Sequence, residues 1–169
     1  DGPTVKIAAA PVQLIPKSIA TAGLLAHLLV SKFEDALPFY RQEKILARMG
    51  IELGRATMCN WAVKVAERVE PLMALLAHEI RSGPLINIDE TPLQVLNEAG
   101  RSNTSKSYMW VYRGGDAQKP VLIYQYQPTR SGQVPLKFLQ GYQGYVQSDA
   151  YSGYNMLGRQ PEIELVGCW

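Results

Sequence analysis

A chain of 169 residues, 47% hydrophobic and 19% charged, carries enough apolar side chains for a buried core, and its length suits one domain or two small ones. Its longest apolar run, over 22–30, is closed by Lys32, Glu34 and Asp35 well short of the roughly 18 residues of a membrane span. The opening Asp1-Gly2-Pro3-Thr4-Val5-Lys6 lacks the basic-then-apolar order of a signal peptide. The expectation is a globular, cytoplasmic chain with no membrane partner. Its thiols, Cys59 and Cys168, lie too far apart for metal-ligand spacing and read as reduced, and its charge of +2 does not by itself imply nucleic acid.

Three prolines and no usable period predict an extended arm over residues 1–17, followed by a helical region over 18–82. Ser18 is the expected cap of a first helix in which Leu24, Leu25, Leu28 and Leu29 recur at three-to-four spacing. Pro38 opens a second helix, with Tyr40, Ile45, Leu46 and Met49 as its apolar side and Gly50 as its stop. A third begins near Ala56 or Thr57 and carries the stripe Met58, Trp61, Val65, Val69, Leu72, Leu76 and Ile80, which Pro71 should kink or divide.

Basic residues gather in this region: Lys32, Arg41, Lys44, Arg48, Arg55, Lys64 and Arg68. Helix, Gly-containing turn, helix is the outline of a DNA-reading helix-turn-helix, with Arg41, Lys44, Arg48, Arg55, Thr57, Asn60 and Lys64 as candidate contacts. An ordinary helical hairpin with a solvated cationic face has the same outline, and Met58 and Trp61 read as core.

After Ser82-Gly83-Pro84 the period changes to two, so a second domain is expected over 83–169. Leu85-Ile86-Asn87-Ile88 is a strand running into Asp89, a polar loop over 97–107 precedes a second strand over 108–112, and Gly114-Gly115-Asp116 turns toward a third over 121–126. Ser131-Gly132 opens a short helix that Gly141 ends, and a fourth strand over 144–148 reaches Asp149. The order β-β-β-α-β predicts an α+β fold in which three strands form an antiparallel meander and the helical crossover lays the fourth beside the first. Glu162 and Glu164 fall on a fifth strand as surface residues.

That topology brings Asp89 and Asp149 to neighbouring strand ends. Paired carboxylates are oxygen ligands suited to hard divalent cations such as Mg²⁺ or Mn²⁺, which activate nucleophiles in phosphoryl transfer. An Asp that closes a strand is also an ordinary turn former, and periodicity leaves both readings open. Glu90 is not a third ligand, because adjacent strand residues point to opposite faces. His27 and His78 have no third ligand at metal spacing and read as packing residues, and the tyrosines over 142–154 suit either base stacking or strand packing.

Four segments occur in order between about Pro16 and Trp169: Leu37-Pro38-Phe39-Tyr40-Arg41-Gln42, Ile88-Asp89-Glu90-Thr91-Pro92-Leu93-Gln94-Val95-Leu96, Ser107-Tyr108-Met109-Trp110-Val111-Tyr112 and Gln147-Ser148-Asp149-Ala150-Tyr151-Ser152-Gly153-Tyr154. Together they resemble the transposases of the insertion sequence 66 family. The resemblance implies an RNase H-like core of the DDE type, with Asp89 and Asp149 as the first two catalytic, metal-binding carboxylates for Mg²⁺ or Mn²⁺. It also implies cleavage and transfer of DNA strands at an element's ends, DNA as partner, a homo-oligomeric active complex, and work at the bacterial nucleoid. In that family a Cys-Trp pair like Cys168-Trp169 precedes a basic segment and a helical region that supplies a catalytic Glu. The chain is therefore expected to hold an incomplete core, inactive alone. Two rival readings are a DNA-binding module without catalysis and another RNase H-like nuclease, which branched DNA or a hybrid duplex would reveal as substrate.

Overall fold

The computed structural model describes Ala8 and residues 11–167; most of the arm expected over 1–17, and the Cys168-Trp169 pair, lie outside those described residues. Thr21, rather than Ser18, caps the first helix α1 (Ala22–Phe33), its hydroxyl accepting the Leu24 N–H at 3.2 Å. Ser18 is spent one turn earlier, where its hydroxyl accepts the Ala20 N–H at 3.0 Å. Pro38 precedes α2 (Phe39–Arg48), and Gly50 follows it at φ 77°, the left-handed conformation that only glycine adopts cheaply.

The buried side of α2 differs from the expected one. Phe39, Gln42 and Leu46 point inward, at i, i+3 and i+7, whereas Tyr40 and Met49 are exposed. A glutamine takes a core position because its amide nitrogen donates to the Leu28 and Leu37 carbonyls at 3.1 and 2.9 Å. α3 (Arg55–Ser82) runs as one 28-residue helix with Pro71 inside it, so the proline does not divide it. Ile15, Ala20, Leu25, Leu28, Phe39, Leu46, Met58, Trp61 and Val65 form one core, which places Met58 and Trp61 inside.

By packing, the chain divides into two compact units, Asp1–Pro71 and Leu72–Trp169. The second unit is built on a five-stranded sheet of order β3-β2-β1-β4-β5. β1 (Leu85–Gln94), β2 (Lys106–Asp116) and β3 (Lys119–Gln127) form the antiparallel meander. After α4 (Gln133–Phe138), β4 (Gly144–Ser148) lies parallel to β1, and β5 (Ile163–Gly167) parallel to β4. Between β4 and β5 a 3₁₀ segment, Ser152–Arg159, was not legible from periodicity.

One sheet face is covered. Ile86 and Ile88 of β1, Trp110 and Tyr112 of β2, Ile123 of β3 and Val146 of β4 pack with Ile80 of α3, Leu139 after α4, and Tyr154 and Leu157 of the 3₁₀ segment. Burying each such side chain is worth about 1.5–3 kcal/mol. Gly114 and Gly115 lie within β2 and do not form its turn, which is the pair Ala117-Gln118. Gly114 is there for close approach: a Cβ would stand 2.8 Å from the Ile80 carbonyl oxygen at the end of α3.

β1 also differs from expectation, because it continues through Asp89 to Gln94. β2 stays paired with it as far as Gln94↔Lys106, but the β4 ladder stops at Asn87↔Gln147. Among the described residues the second half of β1 therefore has one open edge. The Pro84 carbonyl accepts the Tyr145 N–H at 2.9 Å, so even-numbered residues of this strand direct their backbone groups toward β4. Pro92 has no N–H to give, and its position on that side falls where no strand asks for one.

Candidate functional site

Alternation along β1 sends Ile86, Ile88 and Glu90 to the covered face and Asn87, Asp89 and Thr91 to the other. Continuing the parallel register two residues past Asn87↔Gln147 sets position 89 opposite position 149. Each aspartate lies two residues past the last pair of the β1–β4 ladder. Both are exposed, and both line a depression of about 290 Å³ on the exposed face, with Asn87, Val111, Arg113, Leu122 and Gln147 beside them.

Local hydrogen bonds fix each carboxylate. The Glu90 N–H, on the edge that β4 has left, donates to Asp89 Oδ1 at 2.8 Å. That bond draws the Asp89 carboxylate toward the open edge. Asp149 Oδ1 accepts the Tyr151 N–H at 2.9 Å, a turn that bends the chain directly after β4. Each group keeps further lone pairs for a ligand. Beneath them, Arg113 donates to Asn87 at 3.2 Å and Asn87 to Gln147 at 2.6 Å, a polar rung across β2, β1 and β4. Period-two spacing was the available signal for Asn87 and Gln147, each two residues before an aspartate.

The donors fit a hard divalent cation in kind: carboxylate oxygens on neighbouring backbones, open to solvent on one side. Among the described residues no group of three His, Cys, Asp or Glu side chains gathers to hold a metal. Glu90 is turned away, with its side chain 1% exposed on the covered face. Glu164 lies on β5 and is exposed, while Glu162 precedes that strand. His27 and His78 are exposed rather than packed.

Behind the sheet, Glu90 has partners that sequence reasoning missed. Arg130 Nε donates to it at 2.5 Å and the Tyr154 hydroxyl donates to its other oxygen. Burial first, then the bond to Glu90, pushes the Tyr154 hydroxyl well above its ordinary value, so it remains a donor. The bond to Glu90 likewise raises the Arg130 guanidinium. Tyr142 and Tyr154 are each 2% exposed, which removes them from any base-stacking role.

In the first unit, Arg41, Lys44, Arg48, Arg55, Thr57, Asn60 and Lys64 are all exposed. Arg41, Lys44 and Arg48 follow i, i+3, i+7 on the side of α2 opposite its buried residues, and Thr57, Asn60 and Lys64 repeat that spacing on α3. Arg55 stands apart from the other α3 candidates and joins α2: its guanidinium and the Lys44 ammonium both lie over the Tyr40 ring, at 5.8 and 4.4 Å. Its N–H also donates to Glu43 at 3.1 Å.

Comparison with known proteins bears on both units. The family model described as "Transposase IS66 family" matches residues 17–169. The uncharacterized protein y4qI of Sinorhizobium fredii is 33% identical over 174 residues, covering 96% of this chain and 32% of the relative. The uncharacterized protein y4jD of the same organism is 36% identical over 157 residues, covering 90% of this chain and 30% of the relative. The chain thus spans about a third of the length of the curated relatives it matches.

Proposed function

This chain belongs to the IS66 family of transposases, and on that premise we propose that its sheet unit is the first part of an RNase H-like nuclease core whose Asp89 and Asp149 hold a divalent metal. The observation that supports this most is that both aspartates, each two residues past the last β1–β4 pair, line one depression on the exposed face. A β-β-β-α-β order with three antiparallel strands and a parallel fourth is in keeping with such a core.

Asp89 and Asp149 would hold Mg²⁺ or Mn²⁺, which would supply the acidity that water and a DNA hydroxyl need to become nucleophiles near neutral pH. Asp89 and Asp149 provide carboxylate oxygens, and Arg113 stands at the rim of the depression as a cation for a phosphate. In the helical unit, the exposed rows on α2 and α3 suit the backbone of a duplex. For the whole protein the reading is metal-dependent cleavage and transfer of DNA strands in the cytoplasm by a homo-oligomer. The absence of a three-member acidic group among the described residues favours a second reading for this chain alone, binding without turnover.

Calorimetry with Mn²⁺ tests the site, comparing the chain with Asp89→Asn and Asp149→Asn at fixed salt and pH. Binding abolished by either change places both carboxylates in one site. Binding indifferent to both changes, or none in the parent, sinks the metal reading.

A further inference from the structure

Among the described residues the β1–β4 ladder ends two residues before the aspartates and the β4–β5 ladder at Ser148↔Gly167, so no described ladder pair includes Asp149 and its link to β1 runs through side chains. Glu90 is a carboxylate with a side chain 1% exposed, in a face otherwise filled by Ile86, Ile88, Trp110 and Tyr112. A buried charge is expensive to keep, and an apolar side chain of similar volume packs there at no such cost.

We propose that Glu90 is a positioning residue that sets both aspartates at once; this rests on reading them as metal ligands. Its backbone N–H binds the Asp89 carboxylate at 2.8 Å. Its side chain reaches Asp149 through two intermediates. Arg130, from the segment between β3 and α4, pairs with Glu90 at 2.5 Å and lays its guanidinium 3.7 Å from the Tyr151 ring centroid. Tyr151 returns its hydroxyl to the Arg130 carbonyl at 3.2 Å, and its N–H holds Asp149 at 2.9 Å.

Tyr154 closes the device. Its hydroxyl binds the second Glu90 oxygen, and its ring meets those of Trp110 and Tyr151 edge-on at 6.1 and 5.7 Å. Glu90, Arg130, Tyr151 and Tyr154 therefore form a clip behind the sheet, joining β1 to the turn after β4 where the β1–β4 ladder has ended. Partners that hold metal ligands in this way typically change metal affinity 10- to 100-fold when lost.

Two variants of the intact chain test the clip. Glu90→Gln removes the charge. Arg130→Lys keeps a cation for Glu90, which protects the fold, but removes the planar group over Tyr151. Amide hydrogen exchange reads the clip without metal: the Tyr151 amide is expected to exchange about tenfold faster in both variants, with Val111 and Ile123 unchanged. Mn²⁺ affinity, with both aspartates intact, is expected to weaken about 10- to 100-fold.

A folded Arg130→Lys chain with the parent's Tyr151 exchange overturns the proposal, as does faster exchange spread evenly over the sheet. If the parent binds no Mn²⁺, the metal reading fails and takes the ligand-positioning role with it, whereas the exchange data still report whether the clip orders the turn.

Discussion

Replacing Tyr112 by Phe should stabilise the protein, against the usual sign of a core substitution. Tyr112 is fully buried, its ring stacks on Phe138 with centroids 3.7 Å apart at 12°, and its hydroxyl finds no hydrogen-bond partner among the described residues. Phe keeps the ring and the stacking and deletes only an oxygen. A buried, unsatisfied polar group costs about 1–3 kcal/mol, so the expected gain is about 1 kcal/mol. At an m-value near 2 kcal/mol/M that moves the urea midpoint up by about 0.5 M. Tyr154→Phe is the same chemical change with the opposite sign, a loss of about 1–3 kcal/mol, because it strips a donor from buried Glu90. Urea unfolding of the three chains at pH 7 decides the matter. A clear loss on Tyr112→Phe would refute the reasoning, since it would mean that the hydroxyl is satisfied.

Alkaline pH should weaken the fold. Burial, aided by the Glu90 charge, raises the Tyr112 hydroxyl, and burial with the Glu90 bond raises Tyr154, so above the unfolded value of about 10 the unfolded chain sheds protons that the native one keeps. Stability is then full below pH 10 and falls by up to about 1.4 kcal/mol per pH unit for each tyrosine, a slope that Tyr112→Phe should reduce by one tyrosine's share in urea titrations from pH 9 to 11. Gly114→Ala should cost about 1–3 kcal/mol, because the new methyl meets the Ile80 carbonyl and the Ile86 side chain; Gly167→Ala, with open space around it and no left-handed backbone, should cost under about 0.5 kcal/mol, and equal losses would contradict this packing. Changing Arg41, Lys44 and Arg48 together to Ala should flatten the salt dependence of duplex DNA binding by about 2 to 3 in log–log slope, measured by fluorescence anisotropy; an unchanged slope would place the phosphates elsewhere.

What the sequence made legible was governed by period. Ile86 and Ile88 announced β1 and its covered face, and strand alternation correctly separated Asp89 from Glu90. The extent of β1 was hidden, because its second half is polar and contains Pro92, a residue that belongs on an edge and reads as a stop. The partners of Glu90 were hidden for a different reason: Arg130 and Tyr154 lie 40 and 64 residues away, and no local pattern reports a pairing at that range. The core position of Gln42 was hidden in the same way, a polar residue whose amide nitrogen is satisfied by two carbonyls supplied from elsewhere. The resemblance carried by the Asp-Glu-Thr-Pro and Asp-Ala-Tyr-Ser-Gly-Tyr segments pointed to Asp89 and Asp149; it gave no account of what holds them.

The half-paired state of β1 has a further consequence. An unpaired strand edge invites another strand, from a second copy or an unfolded neighbour, and such an addition here would roof over the Asp89 carboxylate. Pro92 interrupts the donor row that an incoming strand would need, and the Glu90 N–H is already taken by Asp89 itself. The edge next to the aspartates is thus kept from acting as a template for aggregation, and the Asp89 carboxylate stays open to solvent.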